Sequence, residues 1–497
     1  MKYKFIGAIA CIAILLVGSL NWNLLFGLTT EKRVHQHLSY VPKQKCEQTH
    51  NDGELCTHLP LISIDTNIQE IPGKGMRDEN GRHTGFSSTP DGNDRITASM
   101  RIMDSESEYN HTSDESTVSS DVIIHVRGNS SRFFEKSGYR IKLIDKNGNN
   151  NPQSLLGMDK HQDWVLHGPY LDKTLIRNYM MYNLSGEIMD YAPNVRFCEV
   201  VINGEYEGVY VLTELITAGK DGARLNMSVD AKDNTYTGYL LRLDRQNDIE
   251  SDRVNNLTEY TLRADRDLKL EVEYPGQQKL NETLKRSIET DFSRFEKALY
   301  SYDFNNKKYG YKNYIDVDSF VSYFIIHELV VNYDAGSYST YIYKDTSGKY
   351  KMCVWDFNNA CDNYQEQSVM TVQHFEIQNK LWFGMLMKDE DFVERVISKY
   401  KSLRKTVFSD KYLEEYIDGV IDFLGPAIER NNERWSSSFS DDTLLEPEGR
   451  NLHSYDEAVM QLKTFFSVRT AWLDDNIETL KQYSASSKIK KYTEVTD

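Results

Sequence analysis

Residues 327–364 read HELVVNYDAGSYSTYIYKDTSGKYKMCVWDFNNACDNY, and this stretch predicts a β-hairpin with an aspartate at each end. Residues 337–343 and 350–355 are rich in aromatic and β-branched residues and predict two strands, with Ser347-Gly348 in the turn between them. Asp334 precedes the first strand and Asp356 follows the second. Because a hairpin brings its two ends together, we expect both carboxylates to lie in one small region.

Two carboxylates in one region suit phosphoryl transfer. One of them receives or orients the attacking hydroxyl, and the other holds Mg²⁺ on the phosphates of the donor. A plainer interpretation is that Asp334 caps a turn and Asp356 ends a strand, since acids are common at both positions. The spacing alone leaves both interpretations open.

Composition limits the classes of protein that need to be considered. A chain of 497 residues predicts roughly two or three domains. The formal net charge of −17 repels nucleic acid and predicts no nucleic-acid partner, whereas it suits a basic protein or a cation-linked ligand. The six cysteines show no spacing typical of zinc, although Cys46 and Cys56 are close enough in sequence for one bridge outside the cell.

The first 30 residues predict a membrane-targeting segment. Lys2 and Lys4 precede an uncharged run over residues 5–20, which continues more weakly to residue 28. We expect an uncleaved, single-pass signal-anchor, with a cleaved signal peptide and a secreted protein as the alternative. The two lysines predict that the body lies outside the cytoplasm.

Residues 31–120 predict a polar N-terminal extension with few strands. Residues 59–65 and 96–103 predict strands, and residues 78–94 predict a loop rich in Gly, Asp, Asn and Ser. Residues 104–120 are acidic and rich in Ser, which predicts a mobile insertion.

Two strands from residue 121 onward carry candidate phosphate contacts. Residues 121–126 and 138–144 predict strands, joined by the turn Arg127-Gly128-Asn129-Ser130-Ser131. Backbone N–H groups of such a turn, with Arg127, Asn129 and Ser130, can cover phosphates, although a plain hairpin turn is the alternative. Arg140 and Lys142 share one face of the second strand. That face predicts either a cation that neutralises phosphate charge or a solvated edge of a sheet.

The remaining pattern is strands followed mainly by helices. A helix over residues 172–189, a hairpin over 197–212 that ends at Glu214, and a strand over 238–244 come first. Residues 259–263 and 268–273 alternate as strands. Helices are predicted over residues 280–300, 320–331, 391–404, 411–424 and 456–480, and residues 484–497 predict a tail.

Several motifs together resemble the spore-coat CotH kinase family, which are atypical protein-kinase-like enzymes. The motifs are RGNSS at 127–131, YRIKL at 139–143, LLGMDKHQDWVLHGPYLDKTLIRNYM at 155–180, YAPNVRFCEVVINGEYEGVYVLTELI at 191–216 and VWDFNNA at 354–360. The resemblance runs from about residue 59 to about residue 480.

The resemblance implies an α+β, bilobal protein-kinase-like fold. Its β-rich small lobe would occupy residues 121–250 and its mostly helical large lobe residues 251–483, after the membrane segment and the extension. It also implies ATP, Mg²⁺ or another divalent cation, and transfer of phosphate to Ser or Thr of a protein substrate at the cell envelope or spore coat.

Carried over residue by residue, the resemblance makes Asp334 the catalytic aspartate and Asp356 the metal-binding one. Asn358 stands where many relatives have a second aspartate, and its carbonyl still suits a cation. Lys142, with Arg140, is implied as the phosphate contact of the small lobe.

Two further residues have less certain places in the resemblance. Glu214 either pairs with Lys142 or lies near the hinge beside the adenine. Arg177, on the predicted helix, is expected to organise the site.

Two alternatives to a protein kinase stay open. One is a membrane-anchored envelope or coat assembly protein whose kinase-like body is catalytically inactive. The other is an enzyme that transfers a nucleotidyl group instead of phosphate.

Overall fold

The computed structural model describes residues 33–46, 54–219, 224–225, 227, 237–245, 252–256, 268–366 and 372–485. The predicted membrane segment and the predicted strand at 259–263 lie outside these residues. Within the described part of the chain, no helix is long and apolar enough to cross a membrane. The chain divides into two compact units, residues 1–39 and 40–497, and the described part of the first contains a short helix, Gln36–Ser39 (α1).

The strands of the second unit are β1 Cys56–Thr57, β2 Leu61–Asp65, β3 Gly75–Arg77, β4 His83–Phe86, β5 Ile96–Met103, β6 Asn110–His111, β7 Val118–Arg127, β8 Gly138–Ile144, β9 Asp163–His167, β10 Val195–Ile202, β11 Glu205–Glu214, β12 Tyr239–Arg245, β13 Leu268–Tyr274, β14 Thr340–Lys344 and β15 Lys351–Cys353. Its helices are α2 Arg177–Ile188, α3 Glu282–Leu299, α4 Val317–Leu329, α5 Phe383–Leu386, α6 Glu390–Leu403, α7 Asp410–Leu424, α8 Pro426–Arg434, α9 Ser437–Ser440, α10 Tyr455–Asn476 and α11 Lys481–Ser484. The prediction of a mixed α+β fold is therefore confirmed.

Seven strands close a barrel in the order β10-β11-β9-β8-β7-β5-β2. Closure comes from β2, which pairs in parallel with β10, whereas the other neighbours are antiparallel. Alternate residues of β7, including Val122, Ile124 and Val126, are buried in the barrel interior. Because β2 and β5 belong to the barrel, the predicted lobe boundary at residue 121 falls inside a sheet.

The predicted mobile insertion at residues 104–120 is wrong. These residues contain β6 and the first part of β7. Asn110 is buried and donates from Nδ2 to the carbonyl oxygen of Leu59 at 2.8 Å, while its Oδ1 accepts the N–H of Ser105 at 2.7 Å. A buried amide that satisfies backbone groups on both sides fixes this polar segment without an apolar signal in its sequence.

The predicted hairpin is present as β14 and β15, at one edge of a second sheet ordered β13-β12-β14-β15. Tyr341 pairs with Cys353 and Ile342 with Met352. The hairpin is shorter than the sequence predicted, because the residues after Asp334 form turns: its carbonyl oxygen accepts the N–H groups of Ser337 and Tyr338. Asp334 therefore lies in a turn that precedes the hairpin.

Two almost fully buried helices hold the loops around this hairpin. In α4, residues 319–329 are all buried, as expected for a helix that is apolar on every side. In α2, residues 177–185 are buried although many of them are polar. The predicted start of α2 at Asp172 is five residues early, and the Asp172 carboxylate instead accepts the N–H of Arg177 at 2.8 Å.

A polar clamp joins α8 to the barrel strand β11. Lys136 is buried, and its Nζ donates to the Val209 carbonyl oxygen and to Asn431 Oδ1, each at 2.7 Å. Asn431 Oδ1 also accepts the N–H of Val209 at 3.1 Å. Gly208 permits this close approach: its φ is +101°, and a Cβ there would lie 2.6 Å from Asn431 Oδ1.

We predict that Gly208→Ala destabilises the protein by roughly 1–3 kcal/mol more than Gly204→Ala, because only the first methyl group collides with the clamp. Gly204 is a matched control, since its φ is also positive, at +84°, but a Cβ there meets nothing within 4 Å. Urea denaturation of both variants measures the difference. Equal losses would show that backbone strain, and not the clamp, governs position 208.

Candidate active site

Asn332 joins the two loops that carry the aspartates. Its Nδ2 donates to the carbonyl oxygen of Asp356 at 3.0 Å and lies 3.2 Å from Nδ1 of His327. Its Oδ1 accepts the N–H of Asp334 at 3.2 Å. One buried amide therefore holds the turn before the hairpin against the loop after it.

Helix α2 holds the loop that contains Asp356. The Asp356 N–H donates to the hydroxyl of Tyr182 at 3.1 Å, and the Phe357 N–H donates to Asn178 Oδ1 at 2.9 Å. Asp356 has a φ of +59°, which turns the chain sharply after β15. Its Oδ1 accepts the N–H of Asn358 at 3.4 Å.

The two aspartates lie on neighbouring loops, because Asn332 bonds to the N–H of Asp334 and to the carbonyl oxygen of Asp356. Burial, and then the negative charge of Asp356, raise the pKa of Asp334 from 3.8 to about 6, against a hydrogen bond from Asn359 Nδ2 at 2.7 Å. Burial also raises the pKa of Asp356, and the positive charge of Arg127 opposes this rise. The structure thus brings together the two loops that carry these aspartates, while their roles in a site stay a prediction.

The donor set fits a small divalent cation. The carboxylate of Asp356 and the amide oxygen of Asn358 are hard oxygen ligands of the kind that Mg²⁺ takes. Asn358 Oδ1 accepts a hydrogen bond from Asn178 Nδ2, and an amide oxygen keeps a second lone pair for a cation. The pKa of Asp334 stays raised despite the charges of Arg245 and Lys380, so a cation would relieve uncompensated negative charge.

Arg127 is a barrel residue whose charge acts on Asp356. It is the last residue of β7, and its guanidinium lies 5.5 Å from the ring centre of Trp355, which directly precedes Asp356. Asn129 and Ser130 follow it in the predicted phosphate turn, and a short 3₁₀ helix begins at Ser130. The three predicted turn residues therefore lie at the end of the barrel strand that approaches the aspartate pair.

Lys142 and Arg140 lie further along the barrel. Lys142 pairs with Ile123 and with Asp163, and Arg140 Nη2 lies 3.4 Å from an oxygen of Asp163. Gly138 is the β8 residue that pairs with Arg127, so Lys142 stands four residues away, about 13 Å along the strand. The phosphate role of both residues stays a prediction.

Glu214 does not pair with Lys142, one of the two roles considered for it. Its carboxylate is buried, accepts the N–H of Asn194 at 2.9 Å and lies 3.5 Å from Nη1 of Arg224. Glu214 pairs in register with the core residue Trp164, whereas Lys142 alternates with core residues and faces outward. The two side chains are therefore on opposite faces of the barrel wall.

Arg177 fixes the chain that follows Asp356. Its Nε donates to the carbonyl oxygen of Ala360 at 3.0 Å and its Nη2 to that of Cys361 at 3.1 Å. Its Nη1 donates to Asp172 at 2.6 Å. This buried arginine organises the loop as the sequence suggested, by bonds to backbone carbonyls.

Sequence reasoning missed the amide and aromatic residues that support the aspartates. Asn178, Tyr182, Asn332 and Asn359 all lie within or next to the motifs, yet none was given a role. Amide side chains carry no periodic signal, and their partners come from distant segments. Proximity to a motif aspartate, as in Asn359, was the one clue available.

An aromatic stack includes the residue that directly follows Asp356. The rings of His327 and Phe357 are stacked at 5.1 Å between centres, and Tyr182 meets Phe357 edge-on at 5.6 Å. Burial lowers the pKa of His327 to about 3, so its imidazole is neutral at physiological pH. The residue after Asp356 is thus packed between α4 and α2.

These features define a mixed α+β protein with a buried aspartate, Asp334, and a partly buried one, Asp356, on neighbouring loops beside a hairpin. The family model described as CotH kinase protein matches residues 124–473, which is most of the chain. The chain belongs to this family, as its motifs suggested. It is also 20% identical over 366 residues to the inner spore coat protein H of Bacillus subtilis (strain 168), an alignment that covers 72% of this chain and 88% of that protein.

We predict that Asp334→Asn stabilises the cation-free protein at pH 8 by up to about 3 kcal/mol. The folded chain holds this carboxyl with a pKa of about 6 against 3.8, so stability falls as the pH rises from about 4 to 6, and the full penalty remains above pH 6. The gain should shrink as the pH falls through this window and vanish below about pH 4, where the acid is neutral in both states.

Urea denaturation in EDTA across this pH range measures the effect. Asp303→Asn, at an exposed aspartate, is the control. A gain that did not depend on pH would contradict the electrostatic explanation.

Proposed function

We propose that this protein is an ATP- and Mg²⁺-dependent phosphotransferase of the CotH type that phosphorylates Ser or Thr of a protein substrate. The observation that carries this proposal is the pair of aspartates held at the base of the hairpin by Asn332. Family membership supports the kinase-like class. The net charge of −17 favours a basic protein as the substrate.

Each aspartate has one role in this proposal. Asp334 orients the substrate hydroxyl and accepts its proton, and a pKa of about 6 leaves it ionised and basic near neutral pH. Asp356, with the oxygen of Asn358, would hold Mg²⁺. When bound, this cation offsets the negative charge of the ATP phosphates.

In this proposal the barrel and the helical part have complementary roles. The barrel and α2 act as the small lobe, which covers the phosphates with the turn after Arg127. The chain from β12 onward acts as the large lobe and carries both aspartates. The stack of His327 on Phe357 keeps the metal-binding loop fixed against α4.

We predict that the full chain transfers labelled phosphate from ATP to a Ser-rich basic protein in the presence of Mg²⁺. Asp334→Asn should reduce the rate by about 10²–10⁴-fold through loss of the base, and Asp356→Asn should act similarly through loss of the metal ligand. Asp303→Asn should retain the wild-type rate. Mass spectrometry of the product distinguishes phosphate from a nucleotidyl group, and label that persists in both site variants would refute the assignment.

We further predict that Arg127→Ala weakens use of ATP more than Lys142→Ala. Arg127 acts on Asp356, whereas Lys142 lies about 13 Å further along β8. Loss of a charge-assisted phosphate contact should raise the KM for ATP at least about tenfold in the first variant.

Steady-state kinetics at several ATP concentrations tests this ranking. The opposite ranking would place the phosphates on the Lys142 side of the barrel. It would support the phosphate contact that the family resemblance implies for Lys142. Denaturation midpoints of the two variants, compared with wild type, separate loss of binding from loss of folding.

A second candidate function is assembly of an envelope or coat layer by an inactive kinase-like body. The name of the relative, inner spore coat protein H, favours it. In this case the N-terminal segment anchors the body at a membrane, and the aspartates have no role in turnover. A correctly localised Asp356→Asn protein that supports normal assembly in the source organism, together with no phosphate transfer by wild type, would favour assembly.

A further inference from the structure

A second group of metal-ligating side chains lies on the N-terminal edge of the 40–497 unit. It consists of Cys46, Cys56 and His111, each of which is partly buried. One ligand atom from each residue lies within 4.8 Å of the ligand atoms of the other two. None of the three belongs to the aspartate pair or to its supporting residues.

Backbone pairing positions all three side chains. Cys56 of β1 stands directly opposite His111 of β6 in an antiparallel pair, which brings their Cβ atoms close. The segment before Cys46 pairs with the segment before β6, because the N–H of Gln44 donates to the carbonyl oxygen of Ser107 at 2.8 Å. The three ligands therefore come from adjacent segments that the backbone holds in register.

The histidine is oriented by a carboxylate. Asp114 Oδ2 lies 3.2 Å from Nδ1 of His111 and also accepts its backbone N–H at 2.7 Å. Histidines that bind metals commonly present one ring nitrogen to a carboxylate, which fixes the tautomer and leaves the other nitrogen for the cation. Asp114 thus assigns Nε2 of His111 to the ligand position.

The strand that carries Cys56 is anchored to the rest of the unit. Arg430 Nη2 donates to Thr57 Oγ1 at 3.3 Å and to Glu199 at 2.7 Å. Glu199 belongs to the barrel strand β10, and its carboxylate is fully buried. The side chain of Cys56 is therefore held by a fixed backbone.

We propose that Cys46, Cys56 and His111 form a site for a thiophilic divalent cation, for which Zn²⁺ is the best match. Thiolate and imidazole are its preferred ligands, and water completes the tetrahedron. Zn–S bonds of about 2.3 Å place two ligands under about 4 Å apart, so the side chains need to close by no more than roughly 1 Å. Binding deprotonates two thiols and releases two protons.

A disulfide between Cys46 and Cys56 is the competing use of the same thiols. It would require neither the histidine opposite Cys56 nor the carboxylate behind that histidine. The metal site explains all four residues. A cation there would tie the segment before β1 to β6 and stabilise this edge of the fold.

Metal content of the untagged full-length protein, purified under reducing conditions with Zn²⁺ and then dialysed, tests the proposal. We expect about one zinc per chain, and Co²⁺ should give a thiolate-to-cobalt charge-transfer band. Cys46→Ser, Cys56→Ser and His111→Ala should each lose the metal and the band. Cys353→Ala and His83→Ala, a buried cysteine and an exposed histidine outside the group, should retain both.

Asp114→Asn separates a positioning role from a ligand role. It should keep the cobalt band but lower the affinity for zinc about 10–100-fold. Zinc that persists in the cysteine variants, reduced thiols that bind none, or a chain whose mass shows a Cys46–Cys56 bridge would each overturn the proposal. Circular dichroism confirms that every variant compared is folded.

Discussion

The site depends on holding two like charges together in a partly buried place. Asn332 bonds to both aspartate loops, and burial with the charge of Asp356 raises the pKa of Asp334 to about 6. Keeping Asp334 ionised at pH 8 therefore costs about 3 kcal/mol, a large part of the stability of an ordinary domain. Packing and hydrogen bonds elsewhere must offset this free-energy cost, and two buried helices, α2 and α4, hold the loops in place.

The need to hold the Asp356 loop accounts for the polar residues of α2. A helix buried on all sides would normally be apolar, yet α2 buries Arg177, Asn178 and Tyr182. Asn178 and Tyr182 each accept a backbone N–H from the Asp356 loop, and Arg177 donates to carbonyls further along it. The side chains of α2 thereby supply hydrogen-bond partners to backbone groups of a loop that belongs to no helix or strand.

Local sequence patterns predicted many of the strands and helices. They could not predict pairing between segments that are far apart in the sequence. Strands with clear alternation, such as β5 and β8, begin and end where the sequence placed them. Closure of the barrel by β2 and β10 joins segments far apart, and no local pattern records it. Helix α8 was not predicted from the sequence because it is largely polar and contacts the barrel strand β11 through Asn431. The aspartates were found through the hairpin, whereas the amides that position them were not. The alternation of side chains along β8 predicts which face of the strand Lys142 occupies, but not how far it lies from the aspartates.

Arg177 and Arg127, two of the arginines around the aspartates, differ in how their N–H donors are used. A guanidinium has five N–H donors. Arg177 directs its five donors to Asp172, to Thr174, to two loop carbonyls and to Gln461, so none is left to bind a phosphate. Arg127 stands instead over the ring of Trp355, at the end of a barrel strand, and its charge acts on Asp356. A guanidinium placed over an aromatic face keeps its N–H edges directed away from the ring. Under the proposed function, Arg127 is therefore the arginine suited to contact a phosphate, while Arg177 fixes the chain that follows Asp356.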